Sequence, residues 1–175
     1  MAGAKHKRLF FALWPEERTR AELAALQACL PGQRGRWVHR QDLHLTLRFL
    51  GQVPTSRLDC IEAAAEGVRG EPVEVRLDHF DYWGRPRILC LAASEVPVAL
   101  EALVTALEEN LQSCGFEPER RPYRPHVTLL RKALPMAKRR LEAPITWHAD
   151  HFVLVESRPG GEPPHYRPLQ GWPLG

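Results

Sequence analysis

The sequence lacks any apolar run near the roughly 18 residues that span a bilayer as a helix, so no transmembrane segment is expected. It also lacks a glycine-rich phosphate-cradling loop; Gly160-Gly161, beside Pro163-Pro164, reads as a turn. Cysteine is sparse. Cys29, Cys60, Cys90 and Cys114 are far apart, form no CxxC pair and fall within apolar patterns. They are expected to be small buried reduced thiols rather than a disulfide framework or a metal site. Strong charge imbalance is missing too: 24 basic against 21 acidic residues leave +3. That excludes an extended polybasic binder but not a local anion site. Lys5, Lys7 and Arg8 precede an apolar stretch, as in a secretory leader, but that stretch covers only Leu9 to Trp14 and runs into Pro15-Glu16-Glu17-Arg18. The expectation is a cytoplasmic protein.

What is present is ordinary globular chain. With 175 residues, 44% of them apolar and 26% charged, it can bury a core as one domain. No linker, low-complexity tract or long charge block divides it, and the sixteen prolines mostly punctuate the ends of elements. Helices are predicted at 16–30 (Leu23, Leu26, Leu30), 55–69 (Leu58, Ile61, Ala65, Val68) and 96–113 (Val96, Leu100, Leu103, Val104, Leu107, Leu111), each with one apolar stripe. Gly115 is placed to cap the third. Strands are predicted near 8–14, 43–49, 72–80, 87–92 and 124–131, as a pair within 145–156, and at 165–169. A short basic helical stretch is predicted near 136–141. Helices and hairpin-forming strands intermix, which indicates an α+β fold.

One internal echo stands out. His44-Leu45-Thr46-Leu47 recurs as His126-Val127-Thr128-Leu129, each within an alternating strand pattern. Residues i and i+2 of a strand share a face, so each tetrad sends a histidine and a threonine one way and two aliphatics into a core. Eight histidines and six threonines scattered at random give about 0.3 H-x-T triplets, so two in matching contexts argue for two related halves facing a groove. The ordinary alternative is two solvated strand histidines. Paired histidines can divide general acid and general base roles at one reacting centre, and threonine hydroxyls can hold anionic oxygens. Together they suit metal-free phosphoryl chemistry by positioning and charge stabilisation. The residues alone do not say which histidine is acid and which is base.

These tetrads resemble the H-x-[ST]-x motifs of the 2H phosphoesterases, in particular the branch of RNA 2′,3′-cyclic phosphodiesterases also called 2′-5′ RNA ligases. The resemblance extends from Arg8-Leu9-Phe10-Phe11-Ala12-Leu13, through His44 to Gly51 and Arg124 to Arg131, to Phe152–Ser157, Tyr166 and Trp172-Pro173-Leu174. It implies a single bilobed domain over 1–175, with two antiparallel sheets related by a pseudo-two-fold axis lining a central cleft and helices outside. It implies opening of a terminal RNA 2′,3′-cyclic phosphate to a 2′-phosphomonoester, and an association with 2′-5′ RNA joining. Under it His44 is the proton donor, His126 the proton acceptor, and Thr46 and Thr128 hold phosphate oxygens. The expected partner is RNA with a cyclic phosphate end, tRNA fragments among the possibilities, handled by a monomer without metal, cofactor or membrane.

Further substrate-binding candidates are Arg131, Arg124, Arg48, Phe11 and Tyr123, with Trp37 as another stacking aromatic. Arg131 lies five residues from His126, so an ideal strand points it away unless a bulge re-aims it. Residues 118–140 hold eight cations against Glu119 alone, which would attract an RNA backbone. His148 and His151 fall on opposite strand faces with no third ligand near, so ordinary strand residues are expected there. Two alternatives stay open: a phosphodiesterase acting on a small cyclic nucleotide or 2′-5′ oligonucleotide, and a non-catalytic RNA-end-binding module.

Overall fold

The structure, a computed structural model, describes residues 3–175. In chain order it runs β1 (His6–Leu13), α1 (Glu17–Gln27), β2 (Arg36–Trp37), β3 (Leu45–Pro54), α2 (Leu58–Glu66), β4 (Val73–Trp83), β5 (Ile88–Ala92) and α3 (Val98–Leu111). There follow β6 (His126–Arg131), β7 (Arg139–Ala149), β8 (His151–Ser157) and β9 (Tyr166–Pro173). The strands form two sheets, in the orders β3-β1-β8-β9 and β2-β6-β5-β4-β7, with antiparallel pairing throughout. The α+β architecture with two antiparallel sheets is the one expected, and each histidine tetrad opens a strand of a different sheet.

One face of each sheet feeds a shared core. Leu9, Phe11 and Leu13 of β1, Leu45 and Leu47 of β3, Leu89 and Leu91 of β5, and Val127, Leu129 and Leu130 of β6 pack into one cluster with the helices. Helix α3 contributes Leu100, Leu103, Leu107 and Leu111, all essentially buried, at about 1.5–3 kcal/mol each. Its end is the one expected: a 3₁₀ turn extends it to Cys114, and Gly115 adopts a left-handed φ of 87°, with the Phe116 amide returning to the Leu111 carbonyl. The opposite faces remain for function. On β1 these are Phe10 and Ala12, grouped with Val153, Val155, Trp14 and Tyr166.

Three expectations are corrected. The basic stretch near 136–141 is not helical. Its residues from 139 on begin β7, where Arg140 and Arg139 pair with His79 and Phe80 of β4, and β7 crosses an irregularity in register before Ile145 meets Leu77. Pro144, lacking an N–H, falls within that irregularity, where no ladder bond is lost. Tertiary pairing decides this stretch, not local charge. The cysteines are not four reduced thiols: Cys60 of α2 and Cys114 after α3 form a disulfide. Spacing along the chain hides the adjacency of these two helices. Cys29 is exposed; Cys90 is free and buried, and burial pushes its thiol up to about 12, which leaves it unreactive. Phe11 is not in a cleft. It is wholly buried against Phe152 and Trp172, and its neighbour Phe10, itself buried, is the one that packs against His44.

Candidate active site

The local backbone presents both histidines in the same way. His44 Nδ1 lies 2.7 Å from the carbonyl oxygen of Asp42, and His126 Nδ1 lies 2.7 Å from that of Arg124. A carbonyl only accepts, so each Nδ1 carries the proton and each Nε2 is the atom that titrates. The residue two positions before each histidine, by its main chain, therefore fixes the tautomer. Sequence patterning does not show this, because any residue type supplies a carbonyl.

The surroundings of the two rings differ. His44 stacks on Trp14 (centroids 5.7 Å apart), tilts against Phe10 (4.7 Å) and meets Tyr166 edge-on (5.1 Å). Its Nε2 lies 3.1 Å from Thr46 Oγ1, whose hydroxyl donates when the ring is neutral. Asp42 is buried and accepts the backbone amides of His165 (2.8 Å) and Tyr166 (3.1 Å), which locks the start of β9 against the first tetrad. His126 packs on Trp83 (4.3 Å), whose indole N–H donates to Asp81. The guanidinium of Arg124 also lies over Trp83, 4.3 Å from the ring centroid, with Asp81 Oδ2 3.5 Å away.

Burial is the main cause holding both imidazoles below the ordinary range. His44 is lowered to about 4, with the charges of Arg131 and His126 adding to the effect and the Asp42 contacts opposing it. His126 is lowered by burial and by Arg124 and Arg131, against the raising effect of the Arg124 carbonyl. The guanidinium of Arg131 thus acts on both rings. Strand parity alone would point it away from them. β6 is irregular at Leu129, however: Leu130 pairs with Leu89 and Thr128 with Cys90, so Leu129 is an extra residue and the face of Arg131 is reversed. The Leu129 carbonyl is held by the Val38 amide (3.0 Å) and by Gln27 Nε2 (3.1 Å) from α1. Gln27 is a residue that sequence reasoning missed; a lone polar residue in a helix gives no pattern to read.

The other candidates fall elsewhere. Arg48 is engaged within the fold. Its guanidinium pairs with Glu108 of α3 (3.3 Å) and donates to the Glu117 carbonyl (2.6 Å), because β3 runs beside α3 and consumes the charge internally. Tyr123 donates its hydroxyl to the Thr46 carbonyl (2.8 Å), and burial raises its pKa, so it ties the approach of the second motif to the backbone of the first rather than offering a free stacking face. Arg124 is exposed but engaged with Trp83 and Asp81. Trp37 lies on edge strand β2, partly exposed. His148 and His151 contact Glu74 and Asp150 at the ends of β7 and β8.

Comparison with known proteins agrees with the doubled geometry. The family model for LigT-like phosphoesterases matches the chain twice, over residues 13–90 and 91–165, one tetrad in each copy. The RNA 2′,3′-cyclic phosphodiesterase of Escherichia coli K12 is 30% identical over 172 residues, 96% of this chain and 97% of that one. The protein of that name from Thermus thermophilus is 33% identical over 185 residues, 95% of this chain and 90% of its own. Among solved structures, E. coli LigT complexed with 3′-AMP superposes with a TM-score of 0.85 at 29% identity, covering 97% of this chain and 99% of that chain.

Proposed function

The chain belongs to the LigT-like phosphoesterase family, and from that premise we propose that it opens the 2′,3′-cyclic phosphate at the end of an RNA to a 2′-phosphomonoester, with His44 as general acid and His126 as general base. The observation that carries this reading is the twin anchoring of the two imidazoles. Each Nδ1 is fixed on a carbonyl, which leaves each Nε2 to exchange a proton with a ligand between them.

His126 Nε2 takes a proton from water as its oxygen bonds to phosphorus. The bond from phosphorus to O3′ breaks, and His44 Nε2–H gives its proton to O3′. The product carries a 2′-phosphate and a free 3′-hydroxyl, and the two histidines then exchange protons with solvent to reset. The division of roles follows the family resemblance. Arg131 lowers both rings; at His44 the Asp42 carboxylate opposes it, and at His126 Arg124 adds to it. Burial by itself keeps both rings neutral; an anionic phosphate between them restores a proton to the donor. Arg131 with the Thr46 and Thr128 hydroxyls meets the non-bridging oxygens.

The test is incubation with an RNA ending in 2′,3′-cyclic phosphate, with chelator present, and identification of the product. A 2′-phosphate is expected, and 3′-phosphate would reverse the leaving group. His44→Ala and His126→Ala should each reduce turnover about 10²–10⁴-fold while the protein stays folded. Near-normal turnover in either variant refutes the mechanism.

A further inference from the structure

The basic stretch 118–140 does not act as one surface. Arg121 pairs with Glu119, Arg124 with Asp81, and Arg139 lies over the Phe80 ring, near the Cys29 carbonyl. A different group of cations gathers where β2, β5 and β6 end together. Arg36 lies directly opposite Arg131 across the β2–β6 ladder, so the two side chains share the face that holds His126 and Thr128. Arg34 precedes Arg36 by two residues. Arg85 and Arg87 lie in the turn between β4 and β5, and the Arg87 carbonyl accepts the Ala133 amide (3.0 Å), which puts that turn beside Lys132. Arg34, Arg36, Arg85, Arg87 and Lys132 all reach solvent.

Two features set this group apart from an ordinary solvated surface. First, the stretches 31–38, 84–91 and 129–138 contain no carboxylate, and among the described residues none of these five cations has an ion-pair partner. Second, the backbone holds the charges together against their mutual repulsion. Gly35 lies so close to the carbonyls of Arg131 and Lys132 that a Cβ there would come within 2.4 Å of the Arg131 oxygen, so only glycine permits this approach of the 34–36 loop. The result is a cationic ridge whose backbone positions are held, continuous with Arg131 at its inner end and leading along the sheet face to edge strand β2.

We propose that this ridge carries the sugar–phosphate backbone of the RNA on the 5′ side of the terminal cyclic phosphate, so that Arg34, Arg36 and Arg85 supply binding to an oligonucleotide that a cyclic mononucleotide does not receive. The inference rests on the phosphodiesterase reading above. A phosphate chain leaving the histidine pair past Arg131 meets Arg36 next, and unpaired cations held close together by the backbone suit its repeating charge.

The test compares kcat/KM for a 2′,3′-cyclic mononucleotide and for an octanucleotide with the same end, at 50 and 200 mM salt. With three ridge contacts and a slope of about −0.7 per phosphate for single strands, the oligonucleotide-to-mononucleotide ratio should fall about 20-fold over that range. In Arg34→Gln/Arg36→Gln/Arg85→Gln, whose side chains hold nothing else in the described structure, the ratio should already be low at 50 mM and stay flat. The corresponding triple lysine variant should keep most of the ratio. Equal losses on both substrates, or an unchanged ratio and salt slope, overturn the ridge. If the wild type cleaves neither substrate, the phosphodiesterase reading fails, and the ridge is judged by anisotropy with a fluorescein-labelled octanucleotide ending in 2′-phosphate. Salt-sensitive binding lost in the glutamine variant then supports the ridge; equal binding by both proteins overturns it.

Discussion

The depressed pKa of His44 makes folding stability fall in acid by an amount that can be worked out. The ring titrates near 4 when folded and near 6.5 when unfolded. Between those values the unfolded chain holds the extra proton, so stability is complete above about pH 6.5 and declines as pH falls toward 4. At pH 4.5 the shift corresponds to a loss of about 2.5 kcal/mol relative to pH 7.5. The comparison is between wild type and His44→Gln, which keeps a polar side chain but cannot titrate. Urea unfolding of both proteins at half-unit steps from pH 7.5 to 4.5 gives two stability curves. The variant is expected to be flatter by about 2–2.5 kcal/mol over that range, and to keep a residual slope of the same sign from His126, which is also lowered. Its absolute stability at pH 7.5 is irrelevant, since loss of the packing on Trp14 and Phe10 affects all pH values alike. A bound dianion should cancel part of the effect, because its charge favours the imidazolium. Sulfate is therefore expected to stabilise the wild type more at pH 5 than at pH 7.5, and to keep only the part of that preference that His126 supplies in the variant. Parallel curves for the two proteins would refute the buried, neutral His44 and the cleft electrostatics built on it.

Three other perturbations test how the site is supported. Gln27→Ala removes the side-chain contact that helps hold the Leu129 carbonyl, and the resulting freedom of Arg131 should lower kcat/KM by about 10–100-fold, against about 1 kcal/mol of stability by urea unfolding. Unchanged kcat/KM would show that the bulge holds without it. Tyr123→Phe deletes the hydroxyl bond to the Thr46 carbonyl and should cost about 1–2 kcal/mol, measured in the same assay. Reduction of the Cys60–Cys114 bond, which closes a loop with a sequence separation of 54, should lower stability by about 4 kcal/mol, read from unfolding midpoints with and without reductant. A midpoint insensitive to reductant would contradict the bond.

The parts of this protein legible in its sequence are those written in local periodicity. The alternation around His44 and His126 gives strand, face and polar pair at once, and the stripe from Leu100 to Leu111 gives α3. What escaped reading depends on contacts distant along the chain. The Cys60–Cys114 bond depends on α2 lying beside α3. The fate of Arg48 depends on Glu108 across the β3–α3 contact. Choosing Phe11 rather than Phe10, which packs on His44, is an error of one residue, which in a strand means the opposite face. Arg131 shows the same sensitivity in reverse. Parity turned it from the site, and one inserted residue at Leu129 turned it back. The basic segment 118–140 was legible as composition but not as a surface, since β7 carries its last two residues away and β2 and the β4–β5 turn bring Arg34, Arg36, Arg85 and Arg87 to the others.

Duplication alone would produce two equivalent histidines, and a donor–acceptor pair needs one ring protonated and the other neutral at the same moment. Departures from symmetry bias which ring holds that proton. Both rings are held through Nδ1 by a carbonyl two residues earlier, but that earlier residue is Asp42 in one copy and Arg124 in the other. One side chain favours the proton and the other disfavours it. Five residues after each histidine the copies differ again: Phe49 in the first, half exposed beneath the guanidinium of Arg8, and Arg131 in the second. Both strands are irregular there, β3 at Leu47 and Leu50 and β6 at Leu129, so local twist is shared while side-chain chemistry is not. A single cation at this position suits a single phosphate. Two would depress both histidines further and make protonation of the donor harder.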